Sequence, residues 1–248
     1  MISTTKHLFW KKDVRRILVL HDVKNSQKFE EKILWLKKNY QIVNLDLLLS
    51  KKLCGDAVAL TFDDGYSNWI SNALPVLEKF KIPATFFVNS GILQCNDKQS
   101  RNSFAKLKLK RNENLSLVTL EEFRLLSNSE FVEIGSHSVN HVDFGKVSSP
   151  RKCLKELRDD KIYLERLVWP KSIIYFAVPF GHSQNFNEST LKGVKYVGFK
   201  NCFSILPENI SSRKSNFLIG RSCVSVSNPN WVWQMELRGG RDFFKYVK

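Results

Sequence analysis

Cysteine is scarce in this chain, with five residues among 248. The five are odd in number, scattered along the sequence and free of any Cys-x-x-Cys pair. This pattern argues against a disulfide framework and against a zinc knuckle. We therefore interpret the cysteines as free, buried thiols in a reducing compartment. They are Cys54, Cys95, Cys153, Cys202 and Cys223.

Long apolar runs and flexible linkers are absent as well. No stretch has the roughly 20 apolar residues that a membrane-spanning helix needs, and the opening residues MISTTKHLFWKKDVRR lack the apolar core of a signal peptide. No segment rich in glycine, proline or serine divides the chain, and no internal repeat is visible. We therefore expect a single domain over residues 1–248, located in the cytoplasm.

Helical and strand patterns alternate along the sequence, which favours parallel strands joined by crossover helices. Thr119 and Glu122 form a predicted capping box, and Ser149 with Pro150 predicts the start of a long helix. The predicted strands are Ile17–Leu20, Ile42–Leu45, Ala57–Phe62, Ala84–Val88, Val132–Ser136 and Ile173–Val178.

Two adjacent aspartates follow the third predicted strand. The buried, β-branched run Ala57–Phe62 is ended by Gly65, so that Asp63 and Asp64 lie at the carboxyl end of a strand. Parallel α/β folds build their sites at this end of the sheet. Two neighbouring carboxylates can divide two tasks there, one binding a metal and the other accepting a proton. A simple Asp-Asp-Gly turn is the alternative for these residues alone.

A second polar cluster follows the predicted strand Val132–Ser136. His137 and His141 lie four positions apart, a spacing that places two imidazoles on one face of a helical turn. Two histidines and one carboxylate are typical of catalytic zinc sites that keep one position open. Together with the aspartates, this spacing favours a site for a divalent metal ion, Zn²⁺ first among them, over structural histidines.

These motifs resemble those of the NodB-like polysaccharide deacetylases. Thr61–Gly65 reads TFDDG and His137–His141 reads HSVNH, the first and second motifs of that family. IPATFFV at Ile82–Val88 and ALPVLEKF at Ala73–Phe80 also match, and weaker similarity extends over most of the chain. The resemblance implies a metal-dependent carbohydrate N-deacetylase on a distorted (β/α) barrel, which we expect to contain seven strands.

The resemblance also implies roles for the site residues. Asp64, His137 and His141 would hold the metal, and Asp63 would act as the general base. A backbone N–H of the family's Arg-x-Pro-Tyr motif would stabilise the oxyanion. That motif corresponds here to Ala177-Val178-Pro179-Phe180, so the backbone donor at Phe180 survives the change of sequence.

The motif arginine, which pairs with the base carboxylate in better-known members, is replaced here by Ala177. Some members carry Phe-Ala-x-Pro-Phe-Gly at this place, so the replacement does not itself imply an inactive protein. Arg221, in the segment LIGRSCV, is a candidate for the missing cation. An ordinary surface arginine is the alternative.

The general acid is the second departure from the family. The histidine of the family's Leu-x-His motif, which protonates the leaving amine, has no clear match after His182. His7, His21 and His182 remain as spare histidines, the side chain best suited to proton transfer near neutral pH. We prefer His21, which ends the first predicted strand, over His182, which follows Pro-Phe-Gly.

Basic residues exceed acidic ones, 39 against 24, which gives a net charge of +15. This excess favours an anionic partner, such as a nucleotide-linked or lipid-phosphate-linked amino sugar. Aromatic and basic residues mix in the tail 228–248, which suits peripheral contact with an anionic inner membrane; packing of the tail against the barrel is the alternative. No nucleic-acid-binding module is recognisable, and we expect no nucleic acid partner.

The polar, basic segment 94–116 is interpreted as an inserted loop near the catalytic face, with a helix as the alternative. The whole pattern predicts a hydrolase that removes an N-acetyl or N-formyl group from an amino sugar, in the biosynthesis of bacterial surface polysaccharide or lipopolysaccharide. A non-catalytic carbohydrate-binding relative of the same fold is the alternative, because the motif arginine and the acid histidine are missing.

Overall fold

Every strand pair of the sheet is parallel, and helices connect the strands. The computed structural model describes residues 13–111 and 115–242. The strands are β1 (Arg15–Leu20), β2 (Gln41–Ile42), β3 (Ala57–Asp63), β4 (Ala84–Val88), β5 (Val132–Ser136), β6 (Tyr175–Ala177), β7 (Asn201–Phe203), β8 (Leu218–Ile219) and β9 (Ser222–Cys223). The helices are α1 (Ser26–Asn39), α2 (Leu45–Leu49), α3 (Leu74–Phe80), α4 (Ser90–Leu93), α5 (Lys98–Leu107), α6 (Leu120–Asn128), α7 (Pro150–Val168), α8 (Glu188–Tyr196) and α9 (Asn230–Leu237).

The sheet curls until its two edges meet at one segment of the chain. The strand order is β8-β7-β6-β5-β4-β3-β1-β9, with β2 beside β3. Only Gly220 and Arg221 separate β8 from β9, yet these strands pair with opposite ends of the sheet, β7 and β1. This connection confirms the predicted distorted (β/α) barrel. Nine strands are present in the described residues rather than seven, because two-residue strands leave no pattern in the sequence.

Successive side chains of each strand point to opposite faces and so enter two separate cores. On β3, Val58, Leu60 and Phe62 pack in the outer core under the helices. Ala57 and Ala59 face the inner core of the barrel. The same alternation carries Asp63 to the inner face, which places a carboxylate inside the barrel.

Two helices begin at the predicted capping residues. Thr119 and Glu122 form the predicted capping box of α6, and the Ser149 hydroxyl caps α7 by accepting a hydrogen bond from the N–H of Lys152. The predicted strand Ile42–Leu45 is wrong at its end, because Leu45 begins α2.

The interpretation of residues 94–116 as a loop throughout is wrong. Residues Lys98–Leu107 form helix α5, which begins at a capping box made by Asp97 and Ser100. Apolar side chains supply the reason, since Phe104 and Ala105 of this helix are buried against the outer core. The basic residues that follow the helix are therefore held in place by a packed element.

Residues 228–242 pack against the barrel, as the alternative interpretation of the tail stated. Trp233 of α9 is fully buried, and its Nε1–H donates to the carbonyl of Ser225 at 2.9 Å. Arg16 of β1 pairs with Asp242 at 2.7 Å. The aromatic residues Phe243, Phe244 and Tyr246 lie outside the described residues, so membrane contact stays a prediction. Within the described ranges, no helix combines the length and apolarity that crossing a membrane requires.

Candidate active site

The chain turns sharply at the carboxyl end of β3. Asp64 and Gly65 both adopt left-handed backbone, with φ of 82° and 77°. Aspartate tolerates this conformation better than most residues, and a Cβ at Gly65 would lie 2.9 Å from Cδ1 of Ile92. The turn separates the two carboxylates, because Asp63 faces the barrel interior while Asp64 faces the loop that follows β5.

His137 and His141 reach Asp64 from that loop. The Nε2 atom of His137 lies 3.4 Å, and that of His141 3.2 Å, from Oδ1 of Asp64. All three side chains are buried, and one ligand atom of each lies within 4.8 Å of the others. The predicted helical turn is wrong, however. Residues 137–141 form a loop in which Ser138 and His141 have left-handed backbone, with φ of 62° and 49°.

Hydrogen bonds to backbone carbonyls orient both imidazoles. Nδ1 of His137 lies 2.8 Å from the carbonyl oxygen of Ala177, and Nδ1 of His141 lies 3.3 Å from that of Lys108. Because a carbonyl oxygen only accepts, Nδ1 carries the proton in each ring. The Nε2 atoms are therefore the ones presented to Asp64.

Two buried polar side chains that the sequence analysis missed hold the histidine loop in place. The Asn89 amide donates to the backbone carbonyls of His137 and Ser138. Asp160 of α7 accepts a hydrogen bond from the Ser136 hydroxyl at 2.6 Å, and burial raises the pKa of Asp160 to about 6. No local motif marks either residue as part of a site.

The donor set of Asp64, His137 and His141 fits a divalent cation. With Nδ1 protonated, each Nε2 can face the carboxylate only by taking a second proton or by binding a cation. Burial alone would raise the pKa of Asp64, but hydrogen bonds from His137 and His141 outweigh it and hold this pKa well below its ordinary value. Two imidazole nitrogens and one carboxylate oxygen are ligands that zinc commonly takes in proteins.

Asp63 is paired with Arg221 inside the barrel. Nη1 and Nη2 of Arg221 donate to the two carboxylate oxygens of Asp63 at 2.8 and 2.6 Å, the bidentate geometry of a strong ion pair. Arg221 also donates to the Thr61 hydroxyl and to the carbonyl of Ser204. Its side chain is fully buried, so the surface-arginine alternative is wrong. Burial raises the pKa of Asp63, but Arg221 and His137 hold it below its ordinary value.

The end of β6 contributes backbone groups where the family motif has an arginine. Ala177 offers its carbonyl to His137, and Phe180 follows in left-handed conformation with φ of 61°. The Phe180 ring packs edge-on against His141, with centroids 4.4 Å apart. In the part of the chain that the structure describes, the backbone N–H of Phe180 meets no hydrogen-bond acceptor, so this donor is available beside the histidines.

His21 and His182 line the same cavity as the aspartates. Nε2 of His21 lies 3.8 Å from Oδ2 of Asp64, and the His21 side chain is 33% exposed. His182 is exposed at the rim. The third spare histidine, His7, lies outside the described residues. His21 is therefore the spare histidine that lies against a predicted metal ligand.

Lys110 and Arg111 also line this cavity, and neither was among the predicted site residues. Nη2 of Arg111 lies 3.8 Å from Oδ2 of Asp64, and Nζ of Lys110 lies 4.9 Å from the centroid of the Phe180 ring. The run KLKLKR is visible in the sequence as a local excess of charge. Only the path of the chain after α5 places Lys110 and Arg111, the last two residues of this run, at the site.

Comparison with known proteins agrees with this geometry. The sequence pattern of the polysaccharide deacetylase family matches residues 50–202, more than half of the chain. A poly-beta-1,6-N-acetyl-D-glucosamine N-deacetylase from Staphylococcus aureus strain MSSA476 is 27% identical over 210 residues, which cover 83% of this chain and 68% of the relative.

Two solved structures share the fold. IcaB from Ammonifex degensii superposes with a TM-score of 0.71 at 21% identity, over 90% of this chain and 96% of that one. The Streptococcus pyogenes deacetylase PplD, solved with acetate, gives a TM-score of 0.71 at 20% identity, over 88% of this chain and 96% of that one. The resemblance seen in the TFDDG and HSVNH motifs is confirmed: the chain belongs to the polysaccharide deacetylase family and is a hydrolase.

Proposed function

We propose that this hydrolase removes an N-acetyl or N-formyl group from an amino sugar by metal-dependent amide hydrolysis, in the biosynthesis of a bacterial surface polysaccharide or lipopolysaccharide. One observation carries the proposal: Asp64, His137 and His141 meet beside Asp63 in a cavity of about 380 Å³. A cavity of this size suits a small ligand. The name of the Staphylococcus aureus relative supports an N-acetylated amino sugar as the substrate class.

Asp64, His137 and His141 would hold the divalent ion, and Zn²⁺ fits their two nitrogens and one oxygen. Bound there, such an ion would polarise the amide carbonyl and lower the pKa of a coordinated water. The protein holds these ligand side chains in position before an ion binds. The Nδ1 hydrogen bonds fix both rings, and burial of Asp64 keeps its carboxylate away from competing bulk water.

Asp63 is proposed as the general base, a role that contributes on the order of 10²- to 10⁴-fold to the rate. Because Arg221 holds the pKa of Asp63 below its ordinary value, the carboxylate is ionised at neutral pH. Each oxygen accepts one hydrogen bond from Arg221 and keeps a further lone pair for a proton. Arg221 thus provides the cation that Ala177 cannot.

The backbone N–H of Phe180 is proposed to stabilise the oxyanion of the tetrahedral intermediate. It lies on a turn that packs against His141, and a preorganised donor at such a point stabilises developing negative charge without reorganising. Because the donor is a backbone group, replacement of the family's tyrosine by phenylalanine leaves it intact.

His21 is proposed as the general acid that protonates the leaving amine. His21→Ala should lower turnover about a hundredfold or more and flatten the alkaline limb of the pH–rate profile, because no group would then deliver the proton. Metal content should not change, since His21 lies outside the proposed ligand set. Steady-state kinetics and metal analysis of the purified variant check both points.

His182→Ala is the matched control, because His182 lines the same cavity but is exposed at its rim. We expect this variant to keep at least a third of the parent turnover. If His182→Ala instead shows the hundredfold loss and His21→Ala does not, the acid is His182.

Release of acetate or formate from N-acylated amino sugars, followed by mass spectrometry, tests the proposed function. The parent should release acid, hold about one divalent ion per chain and lose both properties in His137→Ala/His141→Ala. Circular dichroism should show that this double variant remains folded. Sugar binding without acid release, with metal bound, would support the non-catalytic carbohydrate-binding alternative. Full metal content in the double variant would contradict the ligand set.

The compartment of the enzyme also remains a prediction. All five cysteines are free, as predicted, although Cys54 is exposed and only Cys153 and Cys202 are fully buried. Free thiols are usual in reducing compartments, which supports a cytoplasmic setting. Localisation of the tagged full-length protein by cell fractionation checks it, and recovery from the periplasm or the medium would contradict it.

A further inference from the structure

A second cavity adjoins the one that contains the aspartates. It measures about 460 Å³ and shares three lining residues with the first, His21, Lys110 and Arg111. Its lining also includes Tyr66 and Ser225. Because the two cavities share these lining residues, they form one groove, which extends from Asp64 to Tyr66 and Ser225.

The basic residues between the two cavities lie on a fixed turn. After α5, the N–H of Lys108 donates to the carbonyl of Phe104 at 2.8 Å, and the N–H of Arg111 donates to that of Ala105 at 3.2 Å. The carbonyl of Lys108 accepts from His141. The turn is thus tied both to its own helix and to a proposed metal ligand, so it presents its cations in a defined place.

Other charged groups lining the groove have charged partners of opposite sign. Arg221 neutralises Asp63 inside the barrel, and Lys24 lies 3.5 Å from Asp22. The carboxylates of Asp63 and Asp22 are therefore already paired and do not balance the charges of Lys110 and Arg111.

Nη2 of Arg111 lies 3.8 Å from Oδ2 of Asp64, and Nζ of Lys110 lies 4.9 Å from the centroid of the Phe180 ring. Three carboxylates of the described residues line the two cavities. Asp22 and Asp63 are already paired, so Asp64 alone opposes the charges of Lys110 and Arg111, and a cation on Asp64 would increase the positive surplus. Coulomb attraction at partly exposed sites is moderate in strength and is strongest at low ionic strength. The groove therefore carries an excess of positive charge beside Asp64.

We infer that Lys110 and Arg111 bind a phosphate group of the substrate, so that the enzyme acts on a phosphorylated amino sugar. The inference rests on the proposed function and adds the chemical class of its substrate. Arginine donates to phosphate oxygens in pairs, and lysine binds phosphate as a point charge. The second cavity holds the group beyond the phosphate, which is either a nucleotide or a lipid.

Calorimetric titration of the metal-loaded full chain with inorganic phosphate, at low ionic strength, tests the site without turnover. Lys110→Gln/Arg111→Gln should weaken phosphate affinity about tenfold, because two charge-assisted contacts are lost. Lys98→Gln/Lys106→Gln is the matched control, since it removes the same charge from exposed side chains of α5 that line neither cavity. The control should stay within about twofold of the parent. Equal loss in both double variants would assign the effect to net charge and overturn the inference.

N-acetylglucosamine and its 1-phosphate separate this inference from the proposed function. In the parent the phosphorylated sugar should have a KM at least about tenfold lower, a preference that Lys110→Gln/Arg111→Gln should remove. Deacetylation of both sugars with equal KM would overturn the phosphate site and leave the function standing. Phosphate binding that depends on Lys110 and Arg111, without acid release from either sugar, would overturn the function and leave the site standing. A uridine diphosphate sugar and a prenyl phosphate sugar, compared directly, then identify the nucleotide or lipid source.

Discussion

Asp63→Asn is expected to lower turnover by about 10²- to 10⁴-fold while the metal content stays that of the parent. An amide cannot accept the proton, but its oxygen can still accept a hydrogen bond from Arg221, so the shape of the cavity is kept. Arg221 loses its counter-charge, and the free energy of unfolding should fall by about 1–3 kcal/mol. Acid release, metal analysis and urea unfolding measure the three quantities.

Asp64→Asn is the matched control, because it makes the same chemical change one residue later. This variant should bind the metal more weakly, since a carboxylate ligand is replaced by a neutral amide. Excess metal should restore part of its turnover, whereas it should restore none in Asp63→Asn. If metal rescues Asp63→Asn and not Asp64→Asn, the roles of base and ligand are reversed.

Arg221→Met should lower the free energy of unfolding by about 3–5 kcal/mol, because it leaves the Asp63 carboxylate buried without its partner. Methionine matches much of the arginine side chain in shape, so the loss of charge dominates over the loss of packing. Turnover should fall as well, since the base is no longer oriented. Arg221→Lys, which keeps the charge without the bidentate fork, should lie between the parent and the methionine variant.

Arg16→Met is the control that distinguishes the effect of Arg221→Met on stability from its effect on turnover. Arg16 is also buried and paired, with Asp242, but it belongs to the opposite end of β1 from the site. This variant should be destabilised while the turnover of its folded fraction remains near that of the parent. Normal stability in Arg221→Met would show that the Asp63–Arg221 pair is not coupled to folding.

The loss of unfolding free energy caused by Arg221→Met should also depend on pH. In the parent, the pKa of Asp63 lies below its ordinary value, so its ionised form stabilises the fold above about pH 4 and this contribution is lost as the pH falls further. In the variant, burial without Arg221 raises that pKa, so acid relieves the penalty. The stability difference between parent and variant should therefore narrow as the pH falls from 7 toward 4. A constant difference would contradict this account.

The sequence alone identified the site residues that directly follow a strand in the chain. In TFDDG, a buried apolar strand ends at two aspartates, and parallel strands bring their carboxyl ends to one edge of the sheet. His137 and His141 follow another such strand. Their meeting with Asp64 could be predicted because the direction of the strands, not the details of the loops, decides it. The helical turn predicted for HSVNH failed, since Asn89 and the left-handed residues Ser138 and His141 set that backbone.

The tertiary structure alone decided the partner of the base and the charge at the mouth of the site. Arg221 lies 158 positions from Asp63 along the chain, and it reaches the carboxylate because the segment between β8 and β9 closes the barrel. Arg111 reaches Asp64, and Lys110 reaches the Phe180 ring, because α5 packs on the outer core. The carbonyl of Lys108, directly after the helix, accepts a hydrogen bond from His141. Pairs of this kind leave no periodic or local signal, since they depend on how distant segments pack. The residue types needed for the chemistry could therefore be identified from the sequence. Their ionisation states and their neighbours depend on the closure of the barrel.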